Sequence, residues 1–251
     1  MDLGLADRVY IVTGASRGLG AATALVLAAE GARLVICSRD QAGLDAVAGQ
    51  LDPERVLVVP GDLADEGLAA RLCTAAVDRF GQLDGAMISV GGPPGGTTSS
   101  LTDEQWRTAF ESVFLGPLRL ARTVVGATSA ASIVFVLSTS VRAPVPGLAS
   151  SNGLRPGLAM LAKTIADESG AQGVRVNTLL PGRIDTGRVR ELDDATGRPD
   201  DARASNVAAI PLGRYGQPEE FARVAAFVLS PAASYLTGIA IAVDGGSTRA
   251  L

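Results

Sequence analysis

The stretch Thr13-Gly14-Ala15-Ser16-Arg17-Gly18-Leu19-Gly20 constrains this chain more than any other. A short apolar run, Val9 to Val12, leads into it. An Ala- and Leu-rich segment, Ala21 to Glu30, leads out, and that composition favours helix. Strand, glycine turn and helix, in that order, make a place where a dinucleotide pyrophosphate can lie against backbone. Glycines at 14, 18 and 20 keep Cβ atoms away from the anion, and the free N–H groups of the helix start face it. The spacing is Gly-x-x-x-Gly-x-Gly rather than G-x-G-x-x-G. Glycines also make ordinary turns, so the flanking strand and helix carry the reading.

Beyond that turn, short β-rich runs alternate with longer helical stretches. Strands are expected at Val9–Val12, Leu34–Cys37, Val56–Val59, Ala86–Val90, Ile133–Leu137, Val174–Thr178 and Ile239–Val243. Helices are expected over Ala42–Leu51, Asp65–Phe80, a long run capped by Thr102 or Asp103, and Pro218–Leu229. Leu154, Leu158, Leu161 and Ile165 step at helical spacing. Gly91-Gly92-Pro93-Pro94-Gly95-Gly96 is a loop. Residues 187–210 are polar, charged and aperiodic, and read as a flexible excursion with room for one short helix, disordered or serving as a lid. No repeat or interdomain linker interrupts the 251 residues, so residues 1–251 are expected to form one domain. The alternation implies an α/β fold, a doubly wound parallel sheet with helices on both faces. Ligands of such sheets bind at the carboxyl ends of the strands, where strand order reverses.

Composition closes several chemistries. The chain contains no histidine, which removes Ser-His-Asp catalysis, His-ligated zinc and imidazole general bases. Its two cysteines, Cys37 and Cys73, cannot build a zinc site and read as reduced core residues of a cytoplasmic protein. No metal site is expected. A net charge of −4 argues against nucleic acid, and no apolar run is long enough for a membrane span. Met1-Asp2-Leu3 lacks the basic start of a secretory signal. Aromatics make up only 4%, so Ala, Val and Leu must fill the core.

The glycine turn, Gly61-Asp62-Leu63, Val176-Asn177, Pro181-Gly182, Pro211-Leu212-Gly213-Arg214, Pro218-Glu219-Glu220 and Tyr235-Leu236-Thr237-Gly238 through Asp244-Gly245-Gly246 together resemble the short-chain dehydrogenase/reductase family over nearly the whole chain. The 3-oxoacyl-(acyl carrier protein) reductase-like branch is the nearest in look. The resemblance implies a seven-stranded Rossmann sheet, usually assembled as a tetramer, with a dimer as the smaller option, through helices and the last strand. It implies a small carbonyl or alcohol substrate. It also implies cofactor contacts at Gly14, Ser16, Arg17, Gly18, Leu19 and Gly20. Asp62 would meet the adenine amine and Leu63 the ring. Gly91 and Gly92 would approach ribose and phosphates, and Pro181, Gly182, Ile184 and Thr186 would hold the carboxamide and pyrophosphate. Asp62 also reads as an ordinary turn acid.

At the end of the second strand, NAD enzymes carry a carboxylate for the ribose hydroxyls. Here Ser38 and Arg39 stand there, which suits a 2′-phosphate and so NADP(H) over NAD(H); Arg17 adds charge on that side, and Asp40 could neutralise Arg39. The chemistry positions match poorly. Of the family's Asn, Ser, Tyr and Lys, only the serine is kept, as Ser138. Val113, Ser151 and Arg155 fill the others, and Asn-Asn-Ala-Gly reads Ile88-Ser89-Val90-Gly91. A serine hydroxyl is a far weaker acid than a phenol and shorter by a ring, and an arginine stays charged near neutrality. Ser151 and Arg155 nevertheless fall at i and i+4 on one helix face. The alternative is an ordinary surface turn. Three functions follow: an NADP(H)-dependent reductase or alcohol dehydrogenase with an altered Ser138/Ser151/Arg155 site, a non-catalytic NADP(H)-binding sensor or partner subunit of an active relative, or an assembly protein without nucleotide.

Overall fold

The computed structural model describes residues 2–249. Seven strands, β1 (Val9–Thr13), β2 (Arg33–Cys37), β3 (Val56–Val58), β4 (Gly85–Ile88), β5 (Ser132–Val136), β6 (Arg175–Pro181) and β7 (Ala240–Val243), form one sheet. Their order is β3-β2-β1-β4-β5-β6-β7, every pair parallel. The chain therefore winds outward twice, and strand order reverses between β1 and β4. All seven expected strands are present, with ends shifted by up to three residues.

Side-chain alternation divides the core. Val9 and Ile11 of β1 pack on the side of α3 (Leu68–Phe80), α5 (Gly116–Ala127) and α6 (Ala149–Ser169), whereas Tyr10 and Val12 pack against α1 (Gly18–Ala29), α2 (Gln41–Ala48) and α9 (Pro218–Leu229). Fully burying each Leu or Ile in these layers is worth about 1.5–3 kcal/mol. Thr102 caps α4 (Asp103–Phe110) in a reciprocal capping box with Gln105, so Thr102 rather than Asp103 starts that helix. The long helix expected after it is interrupted by a π-turn at Glu111–Leu115.

On α6 the buried stripe is Ser151, Arg155, Leu158, Ala162 and Ile165, with Leu154 and Leu161 only half-buried at its margins. The apolar step seen in the sequence thus marks the flank of the stripe, and its N-terminal end is polar. The 187–210 segment departs further from expectation. It forms two helices, α7 (Gly187–Asp194) and α8 (Pro199–Ala208), rather than a flexible excursion. The buried Asp193 carboxylate receives Arg183 at 3.1 Å, the Tyr215 hydroxyl at 3.0 Å and the Asn206 amide at 3.3 Å. Val189, Ile210 and Tyr215 form a small apolar cluster beside it. A polar network of this kind orders a segment that shows no hydrophobic period. No helix among the described residues is long and apolar enough to cross a membrane.

Candidate active site

At the reversal of strand order, the tips of β1 and β4 are clasped by one side chain. Thr13 Oγ1 donates to the Ser89 carbonyl at 2.6 Å and accepts from the Ser89 N–H at 2.9 Å. Above this clasp the chain turns so tightly that a Cβ on Gly14 would stand 2.9 Å from Ser89 O, and one on Gly20 would collide with the Gly14 carbonyl. The turn opens into α1. Arg17, at its N-cap, makes no side-chain cap bond, and no acid lies in the first turn. The leading N–H groups have no side-chain acceptor, which is the electrostatic setting for an anion.

Polar groups gather beside it. Ser16 Oγ and Ser38 Oγ lie 2.9 Å apart, and Ser38 Oγ also accepts from Asp40 N–H at 3.2 Å. Asp40 does not neutralise Arg39. Its carboxylate caps α2 by accepting from Gly43 N–H at 3.0 Å. Arg39, largely exposed, instead reaches Asp62 at a loose 3.5 Å. Asp62 also accepts from Ala64 N–H at 3.0 Å, so it serves its own turn as well as facing this corner. Leu63 is buried against Gly116. Arg17 is engaged elsewhere, 3.1 Å from Glu191 on α7.

The loop after β6 closes the other side of this corner. Pro181 closes the strand opposite Val243, Gly182 packs on Asp244, and Ile184 is buried and bridges to Gly216. Thr186 caps α7 and sets its methyl against Gly18. Around Gly91 the space is open. A Cβ on Gly92 would lie 2.5 Å from Arg188 Nε, so the glycine there makes room for an arginine arriving from α7.

At the β5 end lie the other residues. Ser138 Oγ accepts from Ser140 N–H at 3.1 Å and starts a short 3-10 turn, Thr139–Val141. Ser140 Oγ meets Ser151 Oγ at 3.1 Å. Arg155 Nη1 donates to the carbonyls of Val136 at 3.0 Å and Leu137 at 2.9 Å. Ser151 and Arg155 are 4% and 6% exposed, which disposes of the surface-turn alternative. Among the described residues no carboxylate pairs with Arg155. Burial, and then the repulsion of Arg188, lower its pKa to about 10, so the guanidinium stays charged near neutrality. Asn152 turns away and exchanges two hydrogen bonds with the Val145 backbone.

None of the three tyrosines is hydrogen-bonded into this cluster. Tyr10 is sealed in the core with its hydroxyl on Leu229 O, Tyr215 is tied to Asp193 and Asn206, and Tyr235 is fully exposed. Val113 is buried in the π-turn. Ser140, Arg188 and Glu191 join the site without having been singled out for it. The only sequence signal for Arg188 is its place two residues after Thr186. Cys37 and Cys73 are free and buried, as their positions in the sequence suggested.

The glycine cradle, the uncapped helix start and the Ser16/Ser38/Arg39 corner fit a nicotinamide dinucleotide. The fold is of the Rossmann type. A family profile described as Enoyl-(Acyl carrier protein) reductase matches residues 14–248. The chain is 36% identical to the cis-4-hydroxycyclohexanecarboxylate dehydrogenase of Sinomonas cyclohexanicum, over 99% of both chains. It is 29% identical to the 3-oxoacyl-(acyl-carrier-protein) reductase of Thermotoga maritima, over 96% of this chain and 98% of that one. Its fold is similar to that of the L-sorbose reductase of Gluconobacter frateurii, solved with NADPH and L-sorbose, with a TM-score of 0.93, 28% identity and all of both chains covered. The chain belongs to the short-chain dehydrogenase/reductase family of oxidoreductases.

Proposed function

We propose that this chain is an NADP(H)-dependent carbonyl reductase or alcohol dehydrogenase whose reacting oxygen is held by Ser138, Ser151 and Arg155. The observation that carries this reading is Arg155, a buried cation without an acid partner, one helical turn from Ser151 at the mouth of β5. When bound, the nicotinamide supplies or accepts the hydride. The protein's own part is to stabilise the negative charge that gathers on the substrate oxygen. An arginine and serine hydroxyls in a largely buried site do this electrostatically, without a phenol. Loss of a general acid costs on the order of 10²–10⁴ in rate, so the proton comes from water and turnover is slow.

The preference for NADP(H) over NAD(H) rests on Ser16, Ser38 and Arg39, which offer donors and no dedicated carboxylate to a 2′-phosphate. NADPH also accompanies the similar L-sorbose reductase. Asp62, Leu63, Gly91, Gly92, Pro181, Gly182, Ile184 and Thr186 line the rest of the nucleotide's path, and α7 and α8 form the substrate lid. Assembly as a tetramer or dimer is proposed too, because Trp106, Phe110 and Leu154 line an apolar hollow of about 430 Å³ and Tyr235 is bare.

Titration with NADPH and NADH by calorimetry, followed by assay on a broad panel of ketones and secondary alcohols, tests the reading. NADPH binding with turnover that Arg155→Met lowers by on the order of 10²–10³ supports it. Binding without turnover makes the chain a nucleotide sensor or partner subunit. Unchanged kinetics in Arg155→Met would sink the assignment of Arg155.

A further inference from the structure

The lid delivers a second arginine to the same cleft. Arg188 Nη2 donates to Pro93 O at 2.9 Å, and its Nε lies over Gly92, whose missing side chain leaves the guanidinium its place. Its charge is felt at Arg155. Arg188 thus lies against the loop after β4, and Arg155 at the end of the neighbouring β5.

The acids nearby are engaged with other partners. Glu191 stands 3.6 Å from Arg188 but is half-exposed and makes its shorter contact, 3.1 Å, with Arg17. Asp193 is turned into the lid and held by Arg183 and Tyr215. Asp185 is taken by Arg190 and Arg203. Arg155 itself uses only Nη1, on two carbonyls. Its Nε and Nη2 have no protein acceptor, yet no buried side-chain nitrogen among the described residues is left without a partner, so solvent in the cleft reaches them. Buried charges are ordinarily paired, and Arg155 is a buried cation with two of its nitrogens free of any protein acceptor among the described residues.

Resting on the oxidoreductase reading above, we infer that the substrate carries a carboxylate, which Arg188 binds while Arg155 faces the reacting oxygen. The substrate class is then an oxo acid or its hydroxy acid. The nucleotide's own pyrophosphate is the competing anion, but the α1 start and Arg17 stand at the glycine turn for it, whereas Arg155 sits beneath Ser151 at the end of β5.

Calorimetry on the full chain, free and NADPH-loaded, with levulinate and the neutral levulinamide as probes, separates these cases. The proposal expects levulinate to bind more tightly than the amide in both forms. Arg188→Gln should reduce that advantage by about tenfold or more, and Arg188→Lys should restore part of it. NADPH affinity should change far less. Equal binding of the two probes overturns the proposal. So does an Arg188→Gln variant that loses NADPH and levulinate together, because the arginine then serves the pyrophosphate. If the wild-type chain binds no NADPH, the cofactor reading has failed, and the probe comparison on the free chain still decides for or against the arginine site.

Discussion

The two ends of the cleft are built by opposite means. At the β1 end, backbone does the shaping: glycines at 14 and 20 allow approaches that no side chain tolerates, and the helix start is left uncapped. The surrounding arginines are exposed and loosely paired, Arg39 at 3.5 Å. At the β5 end, side chains do the shaping. Three serines and Arg155 are joined by short contacts to one another or to strand carbonyls, and Ser140, Ser151 and Arg155 are buried. A site made of backbone tolerates almost no substitution at its glycines, whereas a site made of side chains can exchange its chemistry and keep its frame.

The comparison breaks most sharply at Gly20. Gly20→Ala should abolish detectable NADPH binding in calorimetry and cost about 1–3 kcal/mol of stability in urea unfolding, because its Cβ meets backbone that cannot move aside. Retained binding would mean the turn is not a phosphate cradle. Next is Arg155→Met, expected to lower kcat by on the order of 10²–10³. Its melting temperature should move by only a few degrees. Two lost bonds to Val136 and Leu137 are offset by removal of an unpaired buried charge. A large loss of stability instead would make Arg155 mainly a structural tie. Ser38→Asp sharpens the first end. A carboxylate there repels a 2′-phosphate, and the NADPH to NADH affinity ratio should fall by about tenfold or more.

Smaller effects are expected where neither end is touched. Tyr215→Phe removes the hydroxyl bond to Asp193 and should cost about 1 kcal/mol, seen as faster hydrogen exchange across residues 187–210 with unchanged exchange in β1. The alkaline limb of stability is set by the core. Burial raises the Cys37 thiol to about 12 and Cys73 to about 11, from 9.0, and pushes the Tyr10 phenol up as well. The unfolded chain gives up these protons first. Their contribution is therefore whole below about pH 9 and is lost as pH rises through the folded values. Arg155, whose pKa is lowered, acts in the opposite sense only above about pH 10. Urea midpoints should fall between pH 9 and 11, and Cys37→Ala should flatten the slope.

The strands, the glycine turn and the reversal point were legible in the sequence because each rests on local rules: β-branched runs, φ freedom, alternation. Ser151 and Arg155 were legible as a pair through helical spacing, but not as buried groups, since polar residues in a core stripe carry no hydropathy signal. The 187–210 segment was misread for a related reason. Asp193, Tyr215, Arg183 and Asn206 are spread over more than thirty positions of sequence, and only the fold brings their polar atoms together. Arg188 was hidden in the same stretch, because its meaning depends on Gly92 nearly a hundred residues earlier.

The contact of α7 with the glycine turn has a consequence for motion. Thr186 rests on Gly18 and Glu191 pairs with Arg17, so α7 is joined to the turn itself. On the proposed cofactor reading, nucleotide entry and exit are coupled to movement of α7, and the exposed ion pair that fastens it is weak enough to part.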